Sequence, residues 1–250
     1  MATAPTGAGT AASSRAVVEQ IRERLARAGD PDKAPAMQAY MKSTLPFRGV
    51  PALGVASICR EVFAAHRIDD RAVWEATVRE LFDAASYREE RYAALALTGH
   101  RSYRGWQDPS TLELYDHLVV TGAWWDFVDE IASRRVGPIL RAHSGTVGPV
   151  LRRWARDPNL WRRRTAILAQ LQSKEQTDTD LLADCLAPSL DSTEFFLRKA
   201  IGWALRQYAR VAPDWVRAYV RDHDDRLSTL SKREATKHLG AKVSENVTDG

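Results

Sequence analysis

A chain of 250 residues with 44% hydrophobic content has room for one large domain or two small ones, and enough apolar surface to bury a core, which excludes wholesale disorder. The net charge of +4 admits nucleic acid as a partner without requiring it, and two distant cysteines, Cys59 and Cys185, exclude a disulfide framework and fit a reducing cytoplasm. No basic leader precedes an apolar run and no stretch approaches the roughly 18 apolar residues of a membrane helix, so the chain is expected to be soluble, cytoplasmic and without a membrane partner.

Residues 1–13, rich in Ala, Thr, Gly and Ser, are expected to be a disordered tail, and 241–250 a flexible one, around a single domain over 14–240. Between the tails Ala, Leu, Arg and Glu dominate and few runs alternate with period two, so nearly everything reads as helix. Helices are expected over 14–28, 33–43, 52–66, 70–85, 87–99, 109–121, 123–134, 147–156, 159–173, 177–188, 192–210, 213–223 and 231–239. Ser86 with Glu89, Asp191 with Glu194 and Ser231 with Glu234 fit capping boxes. Asp108-Pro109 fits an N-cap followed by proline, and Pro213 opens a further helix. Helix pairs recur about every 35–45 residues, the period of HEAT-like arrays. The expected fold is all-α, a superhelical solenoid of HEAT-like helix pairs with a concave basic face; a compact bundle competes with it.

Three stretches carry chemistry. From Arg134 to Arg164 there are nine arginines and one acid, Asp157. A local charge of +8 reads either as several solvated helix faces or as a stripe that tracks phosphates. In Ala123-Trp124-Trp125-Asp126-Phe127-Val128-Asp129-Glu130-Ile131, helical spacing puts Trp124, Phe127, Val128 and Ile131 on a core face. Trp125 and Asp129, four residues apart, share another face. In isolation that pair reads better as a half-buried tryptophan beside a solvated acid than as a functional site. In Phe195–Arg206, Gly202 interrupts a strong helical run at a cost of about 1 kcal/mol, which points to close approach by a neighbouring helix or a DNA backbone. Trp203 considered alone is best read as core. Metal, P-loop, dinucleotide and serine- or cysteine-hydrolase motifs are absent, so no cofactor is expected.

Five ordered motifs resemble the AlkD-type DNA alkylation repair glycosylases. They are Tyr40-Met41-Lys42 with Pro46-Phe47-x-Gly49, Trp124-Trp125-Asp126-x-Val128-Asp129, Trp161 to Leu168, Phe195-Phe196-x-x-Lys199-Ala200-Ile201-Gly202-Trp203, and Leu230-Ser231-x-Arg233-Glu234-Ala235. After Gly49 the family carries a Pro-x-x-Arg segment that this chain replaces with Val50-Pro51-Ala52-Leu53-Gly54. The resemblance implies a monomeric, monofunctional glycosylase that hydrolyses the N-glycosidic bond of cationic N3- and N7-alkylpurines in double-stranded DNA, without flipping the base. It implies that Asp129, Trp125 and Trp203 are catalytic. It implies DNA contacts for Arg164, Arg206 and Tyr40, to which Arg163 and Lys199 are added. Two further readings of the same resemblance are a self-resistance glycosylase for bulky alkyl-purine adducts and a non-catalytic binder of branched DNA.

Overall fold

The computed structural model describes residues 7–239, with side chains from residue 14 onward, and is helical throughout, with no strand among the described residues. The expected tail 241–250 lies outside these residues, as do positions 1–6 of the other; the first helix begins at Gly7. No described helix is long and apolar enough to cross a membrane. The chain divides into two compact units, Met1–Ile131 and Ala132–Gly250.

The first unit holds α1 (Gly7–Arg27), α2 (Ala34–Met41), α3 (Ala52–Ala65), α4 (Arg71–Asp83), α5 (Arg88–Thr98), α6 (Leu112–Gly122) and α7 (Trp125–Ile131). Val17, Ile21 and Leu25 recur every four residues and are fully buried, the apolar stripe that seats α1 on α3, α4 and α5. Trp74 of α4 is fully buried and packs on Tyr103 and Trp106, ring centroids 5.9 and 5.6 Å away. Those two rings belong to a 3-10 turn, Arg101–Trp106, which helical periodicity does not anticipate. The i, i+3 spacing of the rings matches the tighter three-residue period.

The loop from α2 to α3 is tied down by an unexpected group. The fully buried carboxylate of Glu89 accepts hydrogen bonds from the backbone amides of Arg48, Gly49 and Val50, at 2.9, 2.9 and 3.1 Å. Gly49 has φ of +84°, and the carbonyl of Asp30 lies where its side chain would go. Glu89 therefore does not close a capping box with Ser86; α5 starts at a Tyr87 N-cap with no side-chain bond.

The second unit opens with a π-helical turn, Ala132–Val136. It continues through α8 (Gly137–Ala142), α9 (Ser144–Trp154), α10 (Leu160–Leu168), α11 (Thr179–Leu186), α12 (Phe195–Tyr208), α13 (Pro213–Asp222) and α14 (Thr229–Thr236). Leu182, Leu186, Leu197, Ile201, Leu205, Val216 and Ala235 form its core. Helix α8 falls where Gly137-Pro138 suggests a break. The proline occupies the first turn, where a missing N–H leaves no hydrogen bond unmade. Asp108 caps the Pro109–Thr111 turn and Pro213 opens α13, as expected. The boxes at Asp191 and Ser231 do not form. Asp191 pairs with Arg226 at 2.5 Å, and the cap of α14 is Ser228, whose side chain accepts from the Ser231 amide at 3.0 Å.

Candidate active site and nucleic-acid contacts

Helix α7 carries the expected catalytic pair of the first unit. It is short, seven residues, and its direction is set at Ala123, which takes a left-handed φ of 43° at the end of α6. For a residue other than glycine that conformation costs about 1–2 kcal/mol, which the surrounding contacts must offset. Phe127, Val128 and Ile131 are fully buried, as the periodicity requires, while Trp124 is half-buried rather than core. Trp125 and Asp129 are half-buried one turn apart, leaving part of each side chain accessible.

Between them, Asp126 lies in a buried polar cluster. Its Oδ1 accepts from Nη2 of Arg88 at 2.8 Å and its Oδ2 from the Tyr92 hydroxyl at 2.7 Å. Nε of Arg88 donates to the same hydroxyl at 3.0 Å and Nη1 donates to the hydroxyl of Ser43 at 3.2 Å. The guanidinium lies 4.3 Å from the centroid of the Phe127 ring. Burial, and then the Asp126 charge, push the Tyr92 phenol up, so it stays protonated and able to donate. Tyr40, one residue before the end of α2, is 76% exposed and available to a ligand.

In the second unit, α12 presents Lys199, Trp203 and Arg206 on one face at i, i+4 and i+7. Trp203 is half-buried: it packs against the core of this unit and also lines a cavity of about 540 Å3 with Ile167, Gln170, Leu171, Ala204 and Tyr208. Lys199 and Arg206 both hold Glu234 of α14, Nζ to Oε1 at 2.9 Å and Nη1 to Oε2 at 2.5 Å. The Lys199 hydrogen bond, with the charge of Arg206, holds the Glu234 carboxyl below its ordinary value. Gly202 makes this approach possible: a methyl group there would lie 2.5 Å from Cβ of Glu234 and 3.0 Å from the Ser231 carbonyl oxygen. The close approach suggested by this glycine is by α14.

Arg164 is buried, and its Nη1 donates to the Phe196 carbonyl while the guanidinium sits 5.8 Å from the Phe196 ring centroid. Arg163 donates to the Ser189 hydroxyl at 2.9 Å and the Pro188 carbonyl at 3.1 Å, partners that leave its charge uncompensated. The arginine window is less basic than its +8. Arg152 pairs at 2.7 Å with Asp184, an acid outside the window, while the Arg162–Asp157 pair at 3.2 Å is already counted in it; Arg141, Arg153 and Arg156 are exposed.

The structure thus sets Trp125 with Asp129 on α7, Arg163 with Arg164 on α10, and Lys199, Trp203 and Arg206 along α12, with Tyr40 apart on α2. Arg88, Tyr92 and Asp126 have no role in the sequence reading, and Glu234 has only that of a helix cap. Asp126 and Glu234 stand inside the motifs, which is a signal, but charged residues are exposed by default and nothing in a sequence marks the ones that are not.

The model of the DNA alkylation repair enzyme family matches residues 21–239, and the chain belongs to that family. A solved structure described as a predicted DNA alkylation repair enzyme from Enterococcus faecalis is similar, with a TM-score of 0.76 and 29% identity over 85% of this chain and 97% of that one. No curated protein matches. Family membership supports a role in the repair of alkylation damage and makes DNA the partner.

Proposed function

We propose that the chain is a monofunctional DNA glycosylase that acts as a monomer on double-stranded DNA and hydrolyses the N-glycosidic bond of cationic N3- and N7-alkylpurines without flipping the base. The observation that carries this reading is the half-buried Trp125–Asp129 pair on α7 in a member of an alkylation repair family. A purine alkylated at N3 or N7 is already cationic and leaves without a general acid. Positive charge then develops on the deoxyribose. A carboxylate held beside it stabilises that charge and orients the attacking water. The electron-rich face of Trp125 contributes about 0.5–2 kcal/mol to the same cation. Trp203 is assigned the second aromatic contact with the damaged nucleotide. Arg163, Arg164, Lys199, Arg206 and Tyr40 are assigned to the DNA backbone.

The test is release of 7-methylguanine or 3-methyladenine from methylated duplex by the purified protein. Asp129→Asn is expected to slow release by about 100-fold or more while leaving duplex affinity nearly unchanged. Full release by this variant would remove Asp129 from the chemistry. Tight binding to branched DNA with no base release by the wild type would replace the glycosylase reading with that of a binder.

A further inference from the structure

We propose that Arg88, Tyr92 and Asp126 are positioning residues for the reaction, a buried cluster that fixes the first turn of α7 and so sets where Trp125 and Asp129 stand. The proposal rests on the glycosylase reading and names the device that makes its catalytic pair rigid. Trp125 is the first residue of α7, where a helix frays most, and the two residues before it are not helical. Downstream α7 passes directly into the π-helical turn at Ala132, so it is the first turn alone that lacks helix on one side. What holds the first turn is therefore tertiary. Asp126, the residue after Trp125, is gripped by both Arg88 and Tyr92 of α5. Each of its oxygens has its own donor, so the carboxylate is fixed in rotation as well as in place.

The same guanidinium reaches the Ser43 hydroxyl, two residues beyond α2, and Ser43 in turn donates to the Leu45 carbonyl at 2.8 Å. One buried arginine thus links the end of the Tyr40-bearing helix to the first turn of the Trp125-bearing helix. Its three hydrogen-bonding nitrogens are all engaged, and its flat face covers Phe127, so no other rotamer satisfies it. Stability does not explain the arrangement. A buried ion pair contributes little net stability against an apolar pair of similar volume, because desolvation offsets attraction. Conformational specificity does explain it, since two directional bonds, one to each oxygen of Asp126, admit one orientation of α7 where apolar packing admits several.

A positioning role and a merely structural role predict different results. The informative variant is R88M/D126L, which replaces both charges with apolar groups and leaves no charge unpaired, although the Tyr92 hydroxyl loses both its partners; Y92F, which removes that hydroxyl and keeps the ion pair, is its milder companion. Thermal unfolding, affinity for undamaged duplex and single-turnover release of 7-methylguanine are measured on both. We expect R88M/D126L to melt only a few degrees below the wild type, the cost of the unpartnered Tyr92 hydroxyl, and to bind duplex within about twofold, yet to release base about 10–100-fold more slowly, the usual cost of small misplacements at a reacting centre. Y92F is expected to fall between the two. With 5-fluorotryptophan incorporated, the 19F resonance assigned to Trp125 by its loss in W125F should broaden or move in R88M/D126L, and that of Trp74, in the α4 core, should not. Wild-type release rates in both variants, with an unmoved Trp125 resonance, would overturn the positioning role and leave the glycosylase reading intact. A rate loss that merely follows lost affinity or lost folding would overturn it too. If the wild type releases no base, the glycosylase reading fails and this inference falls with it.

Discussion

Gly202 is the residue at which two separated motifs meet, because only a hydrogen at that position lets Glu234 and Ser231 of α14 lie against α12. Gly202→Ala gains about 1 kcal/mol of helix propensity but drives a methyl group into Cβ of Glu234 and the Ser231 carbonyl. Backbone and a short, helix-fixed Cβ cannot step aside, so the overpacking cost prevails. The expected outcome is a net loss of about 1–3 kcal/mol in urea unfolding, and an unchanged midpoint would show that α14 is free to shift. Legibility ended at this kind of residue. Spacing alone could pair Trp125 with Asp129 and flag Gly202 as a close approach. It could not tell that Arg88, Glu89 and Glu90, three consecutive charged residues, are all buried, since that depends on Asp126, the 48–50 amides and Arg22 arriving from elsewhere in the chain.

Among elements, existence was more legible than ends. Helical periodicity places α3, α4, α12 and α13 within a few residues, because burial of one face fixes them. Caps were misread where a tertiary partner outcompetes the local one: Glu89 prefers three amides of the α2–α3 loop, and Glu234 prefers two cations of α12. That second choice has a pH signature. The Glu234 carboxyl ordinarily titrates near 4.5, and its partners depress it in the folded protein. A depressed carboxylate contributes stability above its ordinary value and loses it as pH falls through the folded value. Lys199 is 39% exposed, so solvent screening limits the contribution to about 1 kcal/mol or less. Glu234→Gln should therefore be slightly less stable than the wild type at pH 7, with the gap closing on acidification below 4.5. Urea unfolding of both proteins across that range checks it, and a gap that persists in acid would assign the effect to packing rather than to charge.

At the scale of the whole molecule, a net charge of +4 is too small to explain binding by bulk attraction, so the DNA contacts must be local. The cations assigned to the backbone in the second unit are Arg163, Arg164, Lys199 and Arg206. They do not count equally. Arg163 is held by the neutral acceptors of Ser189 and Pro188, whereas Lys199 and Arg206 share one carboxylate and together carry a single net positive charge. Arg163 and the Lys199–Arg206 pair then neutralise about two phosphates' worth of charge, and each neutralised phosphate contributes about −0.9 to the slope of log affinity against log salt. These three side chains are expected to contribute a slope of about −2 to the binding of undamaged duplex, a fall of about tenfold between about 50 and 200 mM salt. Glu234→Gln releases the compensated charge, so its affinity should rise at low salt and its slope steepen by about one. Fluorescence anisotropy with a labelled duplex measures both. A slope near zero would leave these cations no phosphate to meet, and a Glu234→Gln slope equal to that of the wild type would show that Lys199 and Arg206 stay with α14 when DNA binds.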